Sequence, residues 1–334
     1  MRKTTLTLIS TVSAIAVLTG CGARAASTDP AVGPSSTAAK GGTVLIMNQP
    51  AGNPFADLVY AGMVKAAQEK GIKPQQIPGV QAGAYEQQLR SAALAGNNPI
   101  AVLWDDLGNA VARVAPDFPD TKFLVIDSAV DPKLDNVQTV LIDSSQSSYL
   151  AGVVAASLTK TKKVGFVGGQ DMGVVNEWAC GFKAGLKKGD STVDFVVNYA
   201  GTFTDPQKGQ QIANAMAGEG IDVIFQAANQ TGLGVISGAA DRGIMAIGSD
   251  SWQGDVAEGS VPWSALKDAG AATYTSTINV IDDHFKSGLF VYDSTQGAPL
   301  YDARDYDALA PAVKSAVDAV EPQLRDGTIA LSCR

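Results

Sequence analysis

Histidine is nearly absent from this chain: His284 is the one copy in 334 residues. A Ser-His-Asp triad would have to be built around it, and a multi-histidine metal site is excluded. Cysteine is scarce as well, and three copies rule out a four-cysteine zinc site. Positive charge is in deficit, with 25 Lys and Arg against 33 Asp and Glu and a net charge of −8. Without a basic excess the chain cannot replace the counterions of a phosphate backbone, so no nucleic-acid partner is expected. Charged residues make up only 17% and apolar residues 46%, which excludes global disorder and supplies a large core. The length suits about two domains.

The N-terminus carries an ordered set of signals. Arg2 and Lys3 are followed by an apolar run over 6–18, broken by small hydroxyl residues and ending in Leu18-Thr19-Gly20-Cys21. The run is too short to span a membrane comfortably and fits the h-region of a signal peptide. The tetrapeptide resembles a bacterial lipobox, in which the Cys is acylated before cleavage in front of it. A lipoprotein signal peptide over 1–20 and lipidation at Cys21 are therefore expected. Two acyl chains would hold the protein at a membrane surface, since each buried CH₂ contributes about 0.8 kcal/mol. No other stretch is apolar enough to span. Residues 21–42 are rich in Ala, Ser, Thr, Pro and Gly, cannot offset their own ordering entropy by burial, and read as a flexible tether. Cys180 and Cys333 remain; a disulfide between them and two free thiols are both open readings.

Beyond the tether, short apolar runs alternate with helical periodicity. Strands are expected over 43–47, 100–104, 122–127, 137–142, 163–167, 193–199, 222–227 and 244–249. Helices are expected over 55–70, 85–95, 108–115, 147–158, 176–188, 206–218 and 232–242, the first stopping at Gly71. Strands apolar on both faces and separated by helices imply parallel sheets covered by helices. The Asp-rich turn over 127–136 breaks the alternation and marks a boundary, so two smaller α/β lobes are expected. Ligands of open α/β sheets bind beyond the carboxyl ends of the strands. Asn48, Trp104, Asp105, Asp106, Asp127, Gly168, Gly169, Asn229, Ser249 and Asp250 stand there, a set suited to a small polar ligand.

The enzymatic motifs fail one by one. Gly232-Leu-Gly234 opens a helix after a strand, with Asp250 at the end of the next strand, but Ser237 holds the place of the third glycine of a dinucleotide fingerprint. Gly165-Phe-Val-Gly168-Gly169 has no Lys-Ser/Thr after it and is no P-loop. Asp105 and Asp106, adjacent on a strand, would point to opposite faces and share no site. His284 sits among acidic residues and reads as an exposed helix position. No enzyme activity, no metal and no cofactor are expected.

From 148 onward a series of segments is more specific: 148–160 (SYLAGVVAASLTK), 163–169 (KVGFVGG), 181–185 (GFKAG), 198–209 (NYAGTFTDPQKG), 222–228 (DVIFQAA), 231–234 (TGLG) and 248–250 (GSD). Together they resemble the BMP family, the basic membrane lipoproteins that include purine-nucleoside receptors of ABC importers. The resemblance implies a type I periplasmic-binding-protein fold: two Rossmann-like lobes, a hinge of three crossovers and a ligand held between the lobes. The expected lobes are 43–142 with 268–289, and 143–267 with 290–334. The resemblance also implies roles. Phe55 and Phe203 would pack on the two sides of a base, Asp250 would accept hydrogen bonds from ribose hydroxyls, and Lys267 would reach the sugar. A flat base gains from stacking, and a diol gains from a charged acceptor. Gly232 would let the backbone approach the ligand.

The first lobe departs from the family pattern. Asn53-Pro54-Phe55-Ala56 lacks the amide that follows the family's aromatic, and Trp104-Asp105-Asp106 replaces a glycine-rich turn. Trp104 is expected to substitute for a stacking partner and Asp106 for a lost polar contact. With Asn48, Asn53, Asp127, Trp178 and Asn229 these complete the candidate ligand-binding set. The function expected is a lipid-anchored receptor on the extracytoplasmic face of the cell membrane. It would pass nucleosides, purines favoured, to the permease subunits of an ABC transporter. The alternative is the same fold binding a sugar, a flavin or a signalling molecule.

Overall fold

The computed structural model describes residues 41–333; the signal peptide, lipidation at Cys21 and nearly all of the tether lie outside them. The chain lays down β1 (Thr43–Ile46), α1 (Pro54–Glu69), β2 (Pro74–Ile77), α2 (Tyr85–Leu94), β3 (Ile100–Leu103), α3 (Trp104–Val114), β4 (Phe123–Ile126) and β5 (Val137–Ile142). It then crosses to a second lobe, with α4 (Ser145–Leu158), β6 (Lys163–Gly168), α5 (Gly173–Gly189), β7 (Asp194–Tyr199), α6 (Pro206–Gly218), β8 (Val223–Ala227), α7 (Asn229–Asp241), β9 (Met245–Asp250) and β10 (Trp263–Leu266). It returns for α8 (Ala269–Ile281) and β11 (Gly288–Tyr292), and ends on the second lobe with α9 (Ala303–Ala308), α10 (Pro311–Asp318) and α11 (Glu321–Arg325).

The first sheet has the order β11-β5-β4-β3-β1-β2 and the second β10-β9-β8-β6-β7, and every named strand pair is parallel. Strands β1, β3, β4 and β5 are buried at every position, as expected of a parallel sheet covered on both faces. Helix α1 shows why the helices form where they do. Asn53 caps it by accepting from the Ala56 amide, Pro54 opens it, and Phe55, Val59, Gly62, Met63 and Ala66 make one buried stripe. Gly71, at φ 65°, follows its end and allows the left-handed turn that stops it. In the second lobe Phe166, Phe182 and Phe225 are fully buried against one another. Each contributes about 1.5–3 kcal/mol by burial.

One expected boundary separates nothing and one expected crossover shifts. The Asp-rich turn over 127–136 separates no lobes, because β4 and β5 are hydrogen-bonded neighbours in one sheet. The first crossover comes after Ile142. The last crossover follows Tyr292, not residue 289, because β11 pairs with β5 from Gly288 to Tyr292. Cys180 and Cys333 form a disulfide, with Cα atoms 5.6 Å apart, tying α5 to the C-terminal segment. Among the described residues no helix is long and apolar enough to cross a membrane.

Candidate functional site

The carboxyl ends of both sheets face a common cleft. In the first lobe, Phe55 enters it from the start of α1, Trp104 directly follows β3 and Asp127 directly follows β4. In the second lobe the walls come from Met172 before α5, from Val174, Val175 and Trp178 on α5, and from Phe203 after β7. Ala227 on β8, Asn229 at the start of α7 and Asp250 at the end of β9 complete them. Lys267 lies on the second crossover. Trp104, Asp127, Asn229 and Asp250 share an uncommon backbone, with φ of 58°, 59°, 56° and 66°. Each sits where a strand ends, and the left-handed turn helps place its side chain at the sheet's carboxyl edge. Asp and Asn adopt this conformation at modest cost; for a residue as bulky as Trp it is strained.

The lobes are closed on one another. The Phe55 amide donates to Asn229 Oδ1 at 3.3 Å, and Gln230 Nε2 donates to the Gly52 carbonyl at 3.0 Å. Trp104 lies beside Phe55 (centroids 5.8 Å apart, planes 22° apart) and beside Phe203 (6.1 Å, 12°), so one ladder of rings bridges the lobes. Phe203 has room because Gly169 lies under it; a Cβ there would overlap the phenyl ring. The space left among these walls is about 40 Å³. Pockets for organic ligands run to about 300–1,000 Å³, so entry requires the lobes to part.

The floor of the cleft is charged and buried. Lys267 Nζ is 2.7 Å from Asp127 Oδ1, with both side chains almost wholly buried. Burial alone would pull the Lys267 ammonium down. The charges of Asp127, Glu177 and Asp250 outweigh it and hold the group above its ordinary value. Asp250 moves the other way: burial pushes its carboxyl up, Lys267 draws it down, Asp127 pushes it up again, and it ends at about 6. Asp250 also accepts from Ser249 Oγ at 3.3 Å. Behind it, Gln226 Nε2 donates to Ser249 Oγ and to Gln253 Oε1, and Gln226 Oε1 accepts from the Ala228 amide. This satisfied network holds the backbone just before Asn229 and Asp250 through the Ala228 and Ser249 amides.

Phe55, Trp104, Asp127, Trp178, Phe203, Asn229, Asp250 and Lys267 thus converge as the sequence reading expected. The other candidates do not line the cleft. Asn53 is spent as the cap of α1, and Asn48 accepts from its neighbour Gln49. Asp106 is exposed on the first turn of α3, because a helix and not a strand carries it, and this also corrects the opposite-face reading of Asp105 and Asp106. Gly232 makes room for Gln226, whose side-chain carbonyl a Cβ would overlap, and so serves the scaffold. Phe55 and Phe203 do not face one another across an empty slot, since Trp104 occupies the space between them. Sequence reasoning missed Met172, Val174, Val175 and Ala227, which carry no chemical signature. It also missed Glu177, buried where its carboxylate accepts from Ser144 Oγ at 2.9 Å. The signal for Glu177 was its place on the apolar stripe of α5, one residue before Trp178 and three after Val174.

Two parallel α/β lobes, crossed three times by the chain and closed on a polar, ring-walled cleft, make up the type I periplasmic-binding-protein fold. Residues 40–295 match the family model described as ABC transporter substrate-binding protein PnrA-like, and the chain belongs to this Bmp family. The CD4+ T-cell-stimulating antigen of Listeria innocua is 37% identical over 205 residues, covering 59% of this chain and 56% of that protein. The ABC transporter nucleoside-binding protein BmpA of Lactococcus lactis is 32% identical over 231 residues, covering 68% of this chain and 65% of that protein. The chain thus spans less than two thirds of the length of these relatives. Among solved structures, an ABC transporter solute-binding protein from Aeropyrum pernix K1 superposes with a TM-score of 0.73 at 24% identity, over 86% of this chain and 88% of that one. A transcriptional activator of the comK gene from Bacillus halodurans gives 0.73 at 18%, over 86% and 99%. At these identities the likeness is one of fold.

Proposed function

We propose that this protein captures nucleosides, purines favoured, in the interlobe cleft and delivers them to an ABC-type permease. It would do so while held by a lipid at Cys21 on the extracytoplasmic face of the membrane. The observation that carries the reading is the pairing, in one cleft, of stacked aromatic rings with a buried Asp127–Lys267–Asp250 cluster. Rings suit a flat base; a buried carboxylate beside a lysine suits a diol that donates two hydrogen bonds. In this reading Phe203 stacks on the base from the second lobe, Asp250 accepts from the ribose hydroxyls and Lys267 donates to the sugar. Asn229 and Trp178 border the ring. The name of the Lactococcus relative points the same way.

Binding would favour the closed arrangement of the lobes, since only there do Phe203 and the first-lobe rings meet the ligand together. Calorimetry with inosine, adenosine, guanosine, cytidine and free ribose tests the reading, using the full chain in mild detergent. Binding of purine nucleosides over cytidine, with ribose alone far weaker, is the expected result. Ribose or another plain sugar binding as well as inosine would move the protein to the sugar-binding alternative.

A further inference from the structure

We propose that the ring slot for the ligand lies between Trp104 and Phe203, and that Trp104, not Phe55, is the stacking face of the first lobe. The inference rests on the nucleoside reading above. Trp104 is held to its own lobe on one face by the Phe55 ring, 5.8 Å away, and along one edge by a hydrogen bond from its Nε1 to Asp127 Oδ2 at 3.3 Å. Its other face meets the Phe203 ring of the second lobe.

A ring placed between two others needs them about 7 Å apart, twice the contact distance of carbon atoms. Both ring spacings in the ladder are shorter than that, so a ligand has to widen one of them. Widening the Phe55–Trp104 gap would push apart two residues of a single packed lobe, and Phe55, although it borders the cleft, is 3% exposed and packed into the first-lobe core. Widening the Trp104–Phe203 gap needs only the relative motion of the lobes that admits any ligand. The slot therefore moves one ring toward the second lobe, and Phe55 becomes the backing of Trp104.

The substitution also bears on ligand class. An indole presents a bicyclic face that covers a purine, whereas a pyrimidine uses about half of it. Trp104 would then sharpen the preference for bicyclic heteroaromatic rings. The left-handed backbone at Trp104 fits this account, since a strained conformation at a bulky residue persists only where its surroundings fix it.

Trp104→Ala, Trp104→Phe, Phe55→Leu and Phe203→Ala, each in the full chain, test the assignment by calorimetry with inosine and cytidine and by tryptophan emission. Trp104→Ala and Phe203→Ala should each weaken inosine binding at least tenfold, the scale of a lost base–aromatic stack. Phe55→Leu should cost less than threefold. Trp104→Phe retains a ring should the alanine variant fail to fold. It should weaken inosine more than cytidine and remove most of the ligand-induced change in emission. Tighter or unchanged inosine binding by Trp104→Ala would show a plug that ligand displaces and would overturn the proposal. So would a Phe55→Leu loss as large as that of Trp104→Ala. If the wild type binds neither nucleoside, the reading beneath the proposal fails and the proposal with it.

Discussion

Replacing Asp250 by Asn should make the ligand-free protein more stable at neutral pH. Asn suits the perturbation because it tolerates the φ of 66° at this position, so the backbone is left alone and the charge is removed. The carboxyl has an ordinary value of 3.8 and stands at about 6 in the fold, pushed there chiefly by burial. That gap corresponds to about 3 kcal/mol. Because the folded state holds the proton more tightly than the unfolded chain, the stability contributed by this group is highest below pH 3.8. It declines as pH rises to about 6 and is flat beyond. The Asn variant has no such decline. Its stability relative to wild type should start near zero at pH 4 and grow to about 3 kcal/mol at pH 7, or on the order of 5–10 °C in melting temperature. Urea unfolding of both proteins at pH 4, 5, 6 and 7 measures the difference, which cancels the other titrating groups. A difference that is the same at pH 4 and pH 7, or a variant less stable at pH 7, would refute the reasoning. The same variant should bind nucleoside more weakly, as expected where a destabilised group is kept for its use in a site.

Three further outcomes can be measured. Nucleoside affinity should be level between pH 7 and 8 and fall about tenfold per pH unit below pH 6, because the ligand needs Asp250 ionised; constant affinity from pH 5 to 7 would remove Asp250 from the site. Joint replacement of Cys180 and Cys333 by Ser should cost roughly 2–5 kcal/mol in urea unfolding and leave ligand affinity intact, since neither residue borders the ring-walled space around Trp104, Phe203 and Asp250; an unchanged midpoint would contradict it. Cys21→Ser should abolish labelling of the protein by palmitate, and persistent labelling would dismiss the lipid anchor.

Most of the fold was legible because parallel strands buried on both faces announce themselves as apolar runs. Strand β2 (Pro74–Ile77) was not, because an edge strand with two glutamines has no such run. Beyond residue 249 only His284 is assigned to an element, as an exposed helix position; it is exposed but lies past the end of α8 at Ile281, outside any helix. There β11 lies at the other edge of the first sheet and is mostly only partly buried, and the terminal helices are short. At the site, residues at strand ends were readable from position alone, which is why Asp127, Asn229 and Asp250 were found. Asp106 was misplaced because a helix begins at Trp104 and imposes a period of 3.6, turning that side chain away from the cleft. Gly232 was assigned to the ligand because a glycine after a strand signals close approach without naming what approaches; here it is Gln226. The stacking order of Phe55, Trp104 and Phe203 depends on how two lobes meet, which no local pattern encodes.

The left-handed residues at the strand ends also narrow the amino-acid alphabet at the cleft. Where φ lies near 60°, only Gly, Asn and Asp are accommodated cheaply, so Asp127, Asn229 and Asp250 have few neighbours in sequence space that keep the backbone. Among those neighbours, Asp and Asn differ by one unit of charge and little in shape. Each such position can therefore be set charged or neutral while the walls stay in place. The fold thus offers a small set of charge settings at its floor, and a change of ligand polarity would be reached through exchanges of Asp and Asn before any rebuilding of the loops.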